Sequence, residues 1–526
     1  MKKALIFLLT AAMCLCLLAS CVNNDRSGET ETTSNVITAN TTDKADDPDI
    51  TTTDKAKDPD TTTTEKDKDP TTTTDKEDEP LITTTDDEDE PVIPIDKDDN
   101  TGSCGDNVNW SYDDSTGVLT IYGTGNMWDF SDNYPGFYSY RDEVTSVVIE
   151  NGVTDIGDGV FYHMGKIKSV TISDSVKRIG DSAFFCCFEL KNITIPDSVT
   201  SIGNSAFYDC EVLKSINIPE GITIISDSAF SGCSNLLSIE LPSGVTIIEK
   251  NAFKECSRLK SINLPDGLTT IGDFAFDTTN LISIEIPDSV TAIGVGAFQD
   301  SGLTGVEIGA GVSSIGIGAF SACSDLTYID VSIDNSYYTT IDGALFNKNQ
   351  TELIQYPVGI SDDSYMIPDG VTTIGDSAFL NGMFKSINIP DSVTSIGEHA
   401  FTVCSNLLSI KIPDSVTSIG KFAFDGCLKV KDIEISKSLT TIDECAFGNC
   451  QSITSLTIPD GVTTIGDAAF IWCDSLTSVV IPVSVTSIGE SAFDGADFKA
   501  VYGQPGSYAE SYAKQNGYNF VDINDQ

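Results

Sequence analysis

Apolar positions between about residue 144 and residue 498 recur with a period of 23 residues, shortened to 22 in three intervals. The clearest mark of the period is a Phe that almost always follows Ala. These residues are Phe161, Phe184, Phe207, Phe230, Phe253, Phe276, Phe298, Phe320, Phe379, Phe401, Phe424, Phe447, Phe470 and Phe493. Self-similarity at a fixed period of this size is the signature of a repeat architecture. We therefore expect stacked copies of one structural unit.

One representative unit, from Cys210 to Phe230, reads CEVLKSINIPEGITIISDSAF. Its first part alternates apolar and polar residues, which predicts a short strand with one face on a core. Pro219 ends that strand because proline has no backbone N–H to donate. The later apolar positions predict a second extended stretch and a tight return. In order, the apolar residues are Leu213, Ile216 and Ile218, then Ile222 and Ile225, then Ala229 and Phe230.

A single unit of this kind cannot bury its own apolar face, but stacked units share one continuous core. Adjacent strands in such a stack lie about 4.8 Å apart, so some fifteen units form a body on the order of 70 Å long. The pattern therefore predicts a β-rich solenoid in which each repeat of 22–23 residues makes one coil.

The motif that the units share is Leu-x-x-Ile-x-Ile-Pro, then Val-x-x-Ile-Gly, then Ala-Phe-x-x-Cys. It closely resembles the BspA-like, or treponemal-type, leucine-rich repeats of bacterial surface proteins, and the resemblance covers nearly all of residues 103–526. It implies a leucine-rich-repeat solenoid and a surface-exposed binding or adhesion role, since several members of the family are associated with host matrix proteins or with co-aggregation of bacteria. The ligand stays open.

The repeat is interrupted between Phe320 and Phe379. Two alternating runs at 342–346 and 351–357 flank a turn and predict a hairpin insertion. Three tyrosines accompany it: Tyr337, Tyr338 and Tyr356. We favour the interpretation that they pack the insertion onto the coils, because large aromatic residues are mostly packing residues. The alternative is a projecting ligand loop.

The two ends of the repeat differ from its middle, as expected of a solenoid whose core must be capped. Near the amino-terminal end, two runs around a turn at 113–117 predict a hairpin. The aromatic residues concentrated there are Trp110, Trp128, Phe130, Tyr134, Phe137, Tyr138 and Tyr140. We expect them to cover the end of the core, with stacking against a sugar as the alternative. At the other end, Ser507 to Glu510 has the form of a capping box, Gly517 ends the short helix, and a strand follows.

The chain begins with an export signal. Lys2 and Lys3 precede an apolar run that is too short to span a bilayer comfortably. The run ends in Leu-Ala-Ser-Cys, which resembles the lipobox of bacterial lipoproteins and implies that Cys21 is lipidated. An ordinary secretory signal is the alternative. Residues 22–102 carry 25 acidic and 8 basic side chains with Pro at regular intervals, so we expect a disordered, extended linker.

The formal net charge of −49 excludes most nucleic-acid binding, because a polyanion is bound by clustered Lys and Arg. The chain contains only two histidines, His163 and His399, and neither has a Ser or Cys nucleophile beside it in sequence. No P-loop, G-x-S-x-G or H-E-x-x-H motif occurs. We therefore expect no enzymatic activity and no cofactor. A glycan-active enzyme with its site in the amino-terminal cap or the insertion is one alternative, and a passive spacer is another.

Nine cysteines lie three residues after the repeat Phe: Cys187, Cys210, Cys233, Cys256, Cys323, Cys404, Cys427, Cys450 and Cys473. Units that lack this Cys mostly have a small residue there, which indicates a buried column of small side chains. Cβ atoms on successive coils would lie about 4.8 Å apart, beyond the usual disulfide distance. Zinc is disfavoured because no C-x-x-C motif occurs and no His accompanies the column.

The strand face of the coils is the predicted binding surface. In Leu-x-x-Ile-x-Ile, the second and third x point away from the core, because alternate strand residues face opposite sides. The second x is mostly Ser, and Tyr328 takes its place in one coil; the third is polar or acidic. The candidate ligand-binding residues are Glu240, Glu285, Glu307, Tyr328 and Asp330. A basic partner, or a cation bridging to a glycan, would relieve the repulsion between stacked carboxylates. The alternative is that these side chains are merely solvated.

The predicted organisation is a lipoprotein signal peptide at 1–21, a disordered linker at 22–102, an amino-terminal β cap at 103–143, leucine-rich repeats at 144–330, a hairpin insertion at 331–366, further repeats at 367–498 and a helix–strand cap at 499–526. Together these features predict a lipid-anchored bacterial surface protein that binds a protein or glycan ligand on host or neighbouring cells. The oligomeric state stays open.

Overall fold

The structure is a computed structural model that describes residues 100–130 and 134–525. Cys21 and nearly all of the predicted linker lie outside the described residues. The chain forms a parallel β-solenoid of about 16 turns, as the repeat predicts. Each regular coil contributes one strand to a first row, a shorter strand to a second row, and a return turn that carries the repeat Phe.

The first row consists of one strand per regular coil, and most of its strands pair in parallel with a strand one repeat away, as Ser283 pairs with Gly305 and Gly305 with Tyr328. Buried and exposed side chains alternate along it, as predicted. Its strands are Ser146–Ile149, Ser169–Ile172, Asn192–Thr194, Ser238–Glu240, Ser261–Asn263, Ser283–Ile286, Gly305–Ile308, Tyr328–Val331, Ser364–Met366, Ser386–Asn388, Ser409–Lys411, Asp432–Glu434, Ser455–Thr457, Ser478–Val480 and Ala500–Gly503.

The first row is interrupted at the coil that contains Asn217. There the side-chain amide of Asn217 donates to the backbone oxygen of Ile195 at 2.6 Å and accepts from its N–H at 3.1 Å. A side chain thus replaces the main-chain partner, so that coil has no first-row strand.

The second row consists mainly of two-residue strands. In many coils a threonine immediately before the strand donates a hydroxyl hydrogen bond to a carbonyl of the preceding coil, as Thr269 does to Thr246 at 2.9 Å. The strands are Val153–Ile156, Arg178–Ile179, Ser201–Ile202, Ile224–Ile225, Ile247–Ile248, Thr270–Ile271, Ala292–Ile293, Ser314–Ile315, Thr373–Ile374, Ser395–Ile396, Ser418–Ile419, Thr441–Ile442, Thr464–Ile465 and Ser487–Ile488.

The return turn has left-handed backbone on both sides of the repeat Phe. Around Phe207, for example, Ser205 has φ 52° and Asp209 has φ 53°. Such conformations cost a non-glycine residue about 1 kcal/mol or more. Two features offset this cost. The N–H of Phe207 donates to Ala229 of the next coil at 2.9 Å, and the rings of Phe207 and Phe230 stack at 5.6 Å.

The nine cysteines of the repeat form the predicted buried column. Each thiol donates to the backbone oxygen of the repeat Phe in the preceding coil, at 3.1–3.5 Å, as Cys210 does to Phe184. All twelve cysteines among the described residues are buried and free. In each of these coils, the small thiol side chain therefore gives a hydrogen-bond donor to a backbone carbonyl of the preceding coil.

The amino-terminal cap contains the predicted hairpin, formed by Val108–Asp113 and Val118–Gly123, and a further edge strand at Thr101–Ser103. A two-residue strand, Gly125–Asn126, and a 3-10 helix at Gly136–Tyr140 complete it. The aromatic set divides by burial, with Phe130 half-buried against the core. The buried members are Trp110, Phe137, Tyr138 and Tyr140, which confirms that they cover the core. Trp128 and Tyr134 are instead 45% and 37% exposed.

The carboxyl-terminal cap is the helix Tyr508–Asn516, followed by the strand Phe520–Asp522 and a 3-10 turn at Ile523–Asp525. Gly517 ends the helix in the left-handed conformation, as predicted. The predicted capping box is wrong, because the Ser507 side chain makes no capping bond and the Glu510 carboxylate accepts from the N–H of Gly506 at 2.7 Å instead. Glu510 also accepts from Lys514, one helical turn later, at 2.6 Å.

The insertion contains the predicted hairpin, Ala344–Asn347 with Glu352–Gln355, and an additional strand, Tyr338–Ile341, that pairs antiparallel with the first of these. Here the apolar core divides. Leu345 packs in the cluster of the preceding coils, whereas Ala344 and Phe346 pack in the cluster of the following ones. The insertion thus joins two stacks of coils.

The insertion tyrosines mostly pack, in agreement with the favoured interpretation. Tyr356 is 2% exposed, and the Tyr338 hydroxyl accepts from the N–H of Ile315 at 3.1 Å, at the edge of the second row. Tyr337 alone is well exposed, at 55%. Asn335, which is buried, links the insertion to the preceding coil by donating to Gly309 and Val312.

Candidate functional site

The four candidate carboxylates all point outward from the first strand row and are exposed. Glu285 pairs in register with Glu307, and Glu307 with Asp330, so these three lie on successive strands. Strands in a sheet are about 4.8 Å apart, and like charges directly opposite one another repel. Glu240 lies in a neighbouring groove. The structure therefore brings three of the four together.

An open groove of about 1450 Å³ runs across these strands. Its floor is the outward face of the first row, and one side is formed by the turns that follow the strands. Five carboxylates line it: Asp266, Glu285, Asp288, Glu307 and Asp330. None of the described residues that line it is basic. We call the outward surface of the first row from Ser238 to Val331 the groove face.

Tyr328 lies on the groove face two residues before Asp330 and is 39% exposed. Its ring covers Gly305 on the preceding strand, where a Cβ atom would lie 2.2 Å from the ring. Gly305 stands where most other coils have Ser, and only glycine leaves room for the ring. Gly305 was not predicted from the sequence. It replaces the usual Ser at the second x of the motif, in the coil just before the one that has Tyr328 there, and this pairing is a signal that could have found it.

The corresponding surface of the later coils has a different charge pattern. A groove of about 770 Å³ there contains Lys411 and Lys437 beside carboxylates. Lys411 pairs with Glu434 at 3.6 Å, and Lys437 with Asp414 at 3.2 Å. Negative charge is thus compensated in the later coils and uncompensated on the groove face.

The two histidines lie far apart along the solenoid. His163 and His399 lie in return turns many coils apart, both with positive φ. The His399 ring stacks on Phe422 at 4.9 Å and contacts the hydroxyl of Thr402 at 3.2 Å. Burial lowers the pKa of His399 below its usual value. Within residues 100–130 and 134–525, no group of three His, Cys, Asp or Glu side chains is placed to hold a metal ion.

Buried carboxylates occur on the return turns, where sequence reasoning did not look for them. Asp277 is 8% exposed and lies 3.3 Å from the amine of Lys254. Burial raises the pKa of Asp277, and burial together with the charge of Asp277 raises that of Asp300 in the next coil. The Thr278 hydroxyl also donates to Asp277, at 3.2 Å, so an amine and a hydroxyl contact this buried carboxylate on the return turn.

The described part of the chain contains no helix long and apolar enough to cross a membrane. The family model of the BspA-type leucine-rich repeat region, in six copies, matches residues 134–260, 246–362 and 372–499. Fold and repeat together define a leucine-rich-repeat protein of the bacterial type. The chain belongs to the BspA-type leucine-rich repeat family.

Several solved structures resemble this chain. A leucine-rich cell surface protein from Faecalibacterium prausnitzii is 31% identical, over 78% of this chain and 96% of that one, with a TM-score of 0.44. A leucine-rich repeat protein from Eubacterium ventriosum is 26% identical, over 76% and 95%, with a TM-score of 0.44. The pneumococcal vaccine antigen PcpA is 19% identical, over 80% and 98%, with a TM-score of 0.40. A comparison with curated proteins finds no significant match.

Proposed function

We propose that this chain is a non-enzymatic binding protein that is anchored at the bacterial cell surface and presents the groove face to a ligand on host or neighbouring cells. The observation that carries the proposal is the groove, in which five carboxylates lie without a basic neighbour in its lining. Repulsion among fixed like charges is a cost that a bound partner of opposite charge removes.

The two alternatives have less support. A hydrolase would need paired groups with different protonation behaviour in one cleft. The buried Asp277 and Asp300 lie on the return turns, away from the groove. A passive spacer would not need the uncompensated charge of the groove face, since the later coils show that this fold accommodates lysines at the same positions.

The anchor is proposed from the sequence. Cys21 follows an apolar run and small residues, so lipidation there would tether the chain, and the acidic linker would hold the solenoid away from the membrane. Lipid at a single amino-terminal site leaves the whole solenoid accessible to other cells.

The proposal is tested by capturing ligands from host mucus, matrix proteins and neighbouring bacteria with the exported full chain. A blocking variant, Ser261→Arg with Ser283→Arg, fills the groove floor at two exposed positions. The matched control, Thr246→Arg with Thr269→Arg, places the same side chains at exposed positions immediately before two second-row strands. We expect the blocking variant, and not the control, to lose the ligand.

Two results would contradict the proposal. One is retention of every ligand by the blocking variant, which would place binding elsewhere, or capture of no ligand by the unaltered chain, which would favour the spacer. The other is hydrolysis of a captured glycan by the purified chain, with loss of that activity on substitution of residues in the amino-terminal cap or insertion.

A further inference from the structure

We propose that the groove face binds a basic polypeptide segment, whose Lys and Arg side chains meet the row of Glu285, Glu307 and Asp330 and whose arginine stacks on Tyr328. This inference rests on the proposed function and adds the chemical class of the partner. Two observations support it: the uncompensated carboxylates of the groove face, and the exposed ring of Tyr328 beside them.

Charge complementarity selects the partner. The groove lining contributes five carboxylates and no basic residue. An acidic glycan or a nucleic acid would be repelled, and a neutral sugar would leave the charges uncompensated. A basic segment lowers the energy of each carboxylate that it approaches.

The ring of Tyr328 adds geometric selectivity. The outer end of the ring lies over Gly305, and 39% of the residue stays exposed on the strand that carries Asp330. Glu307 follows Gly305 by two residues on the same strand, and its side chain points to the same side. A planar guanidinium can therefore lie on the ring while it donates to a carboxylate beside it. An ammonium group would gain less from this arrangement.

The shape of the groove favours a polypeptide over a single small ion. It spans four first-row strands, from Ser261–Asn263 to Tyr328–Val331, and is open along its length. An extended segment that lies along the groove would therefore meet Glu285, Glu307 and Asp330 on successive strands.

The test uses the exported full chain and three photo-crosslinking octapeptides, made of Arg, of Lys, or of Gly and Ser, at about physiological salt. Crosslinks are mapped to residues, because the acidic linker also attracts basic peptides. The yield of crosslinks at the groove face is then measured against peptide concentration. We expect this yield to saturate with both basic peptides, and we expect no groove-face crosslinks with the uncharged peptide.

Two variants and a matched control distinguish binding at the groove face from general attraction of basic peptides to a negatively charged protein. Glu285→Gln, Glu307→Gln and Asp330→Asn together should raise the half-saturating concentration about tenfold, which is about 1.4 kcal/mol shared among three exposed ion pairs. The control neutralises Asp369, Asp432 and Asp460, three exposed carboxylates of the later coils, and should change it less than about twofold. Tyr328→Ala should weaken the Arg peptide about three- to fivefold and the Lys peptide less.

Three outcomes overturn the inference. The first is absence of groove-face crosslinks with basic peptides, and the second is equal weakening by the control triple. The third is groove binding of a neutral oligosaccharide, or of a second copy of this chain seen by light scattering, in place of the peptide. If ligand capture is lost in the Ser261→Arg and Ser283→Arg variant but survives the charge-neutral triple, the proposed function stands and the basic partner does not.

Discussion

The ring of Tyr356 packs against that of Phe379 with their centroids 5.2 Å apart and their planes tilted by 32°, so a tyrosine of the insertion occupies the place of a repeat phenylalanine. Its N–H donates to Ala378 at 2.8 Å, as the Phe N–H does in regular coils. Gln355 takes the place of the repeat Ala, and its side-chain amide donates to the carbonyls of Tyr356 and Ala378. The insertion thus starts the second stack of coils.

Replacing Tyr356 by Ala should lower the free energy of unfolding by about 3–5 kcal/mol, because a fully buried aromatic side chain is lost from the start of the second stack. Urea denaturation followed by circular dichroism measures the change. Tyr337→Ala is the matched control, since that ring is 55% exposed and should change stability by less than about 0.5 kcal/mol. Equal effects of the two substitutions would contradict this role of Tyr356.

Asn335→Ala should destabilise the attachment of the insertion. The buried amide donates to Gly309 and Val312 and accepts from the N–H groups of Tyr337 and Tyr338. Leaving these groups without partners costs about 1–3 kcal/mol each where water cannot reach them. Proteolysis near the insertion and the unfolding midpoint would both report the change.

Asn335→Asp is the informative comparison for that variant. The carboxylate keeps the acceptor for the two N–H groups and loses the donors to Gly309 and Val312. It should therefore also be destabilising. A wild-type midpoint for Asn335→Asp would mean that the two donated bonds contribute nothing.

Most of the fold could be predicted because each coil repeats the same physical requirement. Fourteen phenylalanines in one phase define the core, the strand faces and the turn. Single features without a repeat were harder to predict. The capping box failed because the glutamate bonded one residue earlier, to Gly506. The first insertion strand, Tyr338–Ile341, reads Tyr-Thr-Thr-Ile and does not alternate apolar with polar residues, so no strand pattern marks it. Tyr356, by contrast, lies one full period of 23 residues before Phe379.

The candidate site could be predicted in part. Side-chain alternation and the repeat period place Glu285, Glu307 and Asp330 on one face of successive strands, and the structure has this register. The groove depends on how the coils and their turns pack, which residue spacing does not encode. The contact between the Tyr328 ring and Gly305 likewise depends on the side-chain conformation of Tyr328, which the residue pattern does not predict.

Neutralising Glu307 should stabilise the solenoid slightly, because Glu307 lies between two other carboxylates in register. We expect Glu307→Gln to raise the unfolding free energy by a few tenths of a kcal/mol at low salt, and the gain to vanish at about 1 M salt. Glu434→Gln is the matched control, since Glu434 lies beside Lys411 in the same row and its loss should not stabilise. A gain for Glu434→Gln equal to that for Glu307→Gln would contradict the repulsion.

Replacing Cys21 by Ala should move the protein from the detergent-extracted membrane fraction to soluble material or uncleaved precursor, because the acceptor of the lipid is removed. Cys16→Ala, within the apolar run, is the matched control and should leave processing unchanged. Immunoblots of fractionated cells make the comparison. A processed, membrane-bound Cys21→Ala product would contradict lipid anchoring.

The buried cysteines should make stability depend on alkaline pH. Burial raises the pKa of Cys233 from its usual 9.0 to about 12. Between these values the unfolded chain loses the proton while the folded chain keeps it, so the unfolded state gains stability as the pH rises. The contribution of this thiol is complete below about pH 9 and falls by about 1.4 kcal/mol per pH unit above it.

Cys233→Ala tests this pH dependence. The variant should be less stable at about pH 8, because the thiol packs in the core and donates to Phe207 at 3.2 Å. Its denaturation midpoint should then decline less steeply than that of the wild type between about pH 9 and pH 11, by the amount due to one thiol. Alkylation should miss the repeat cysteines in the native protein at about pH 8 and modify them after denaturation. Parallel pH profiles, or cysteines recovered as intact oxidised pairs, would show that the thiols are not the buried, protonated column seen in the structure.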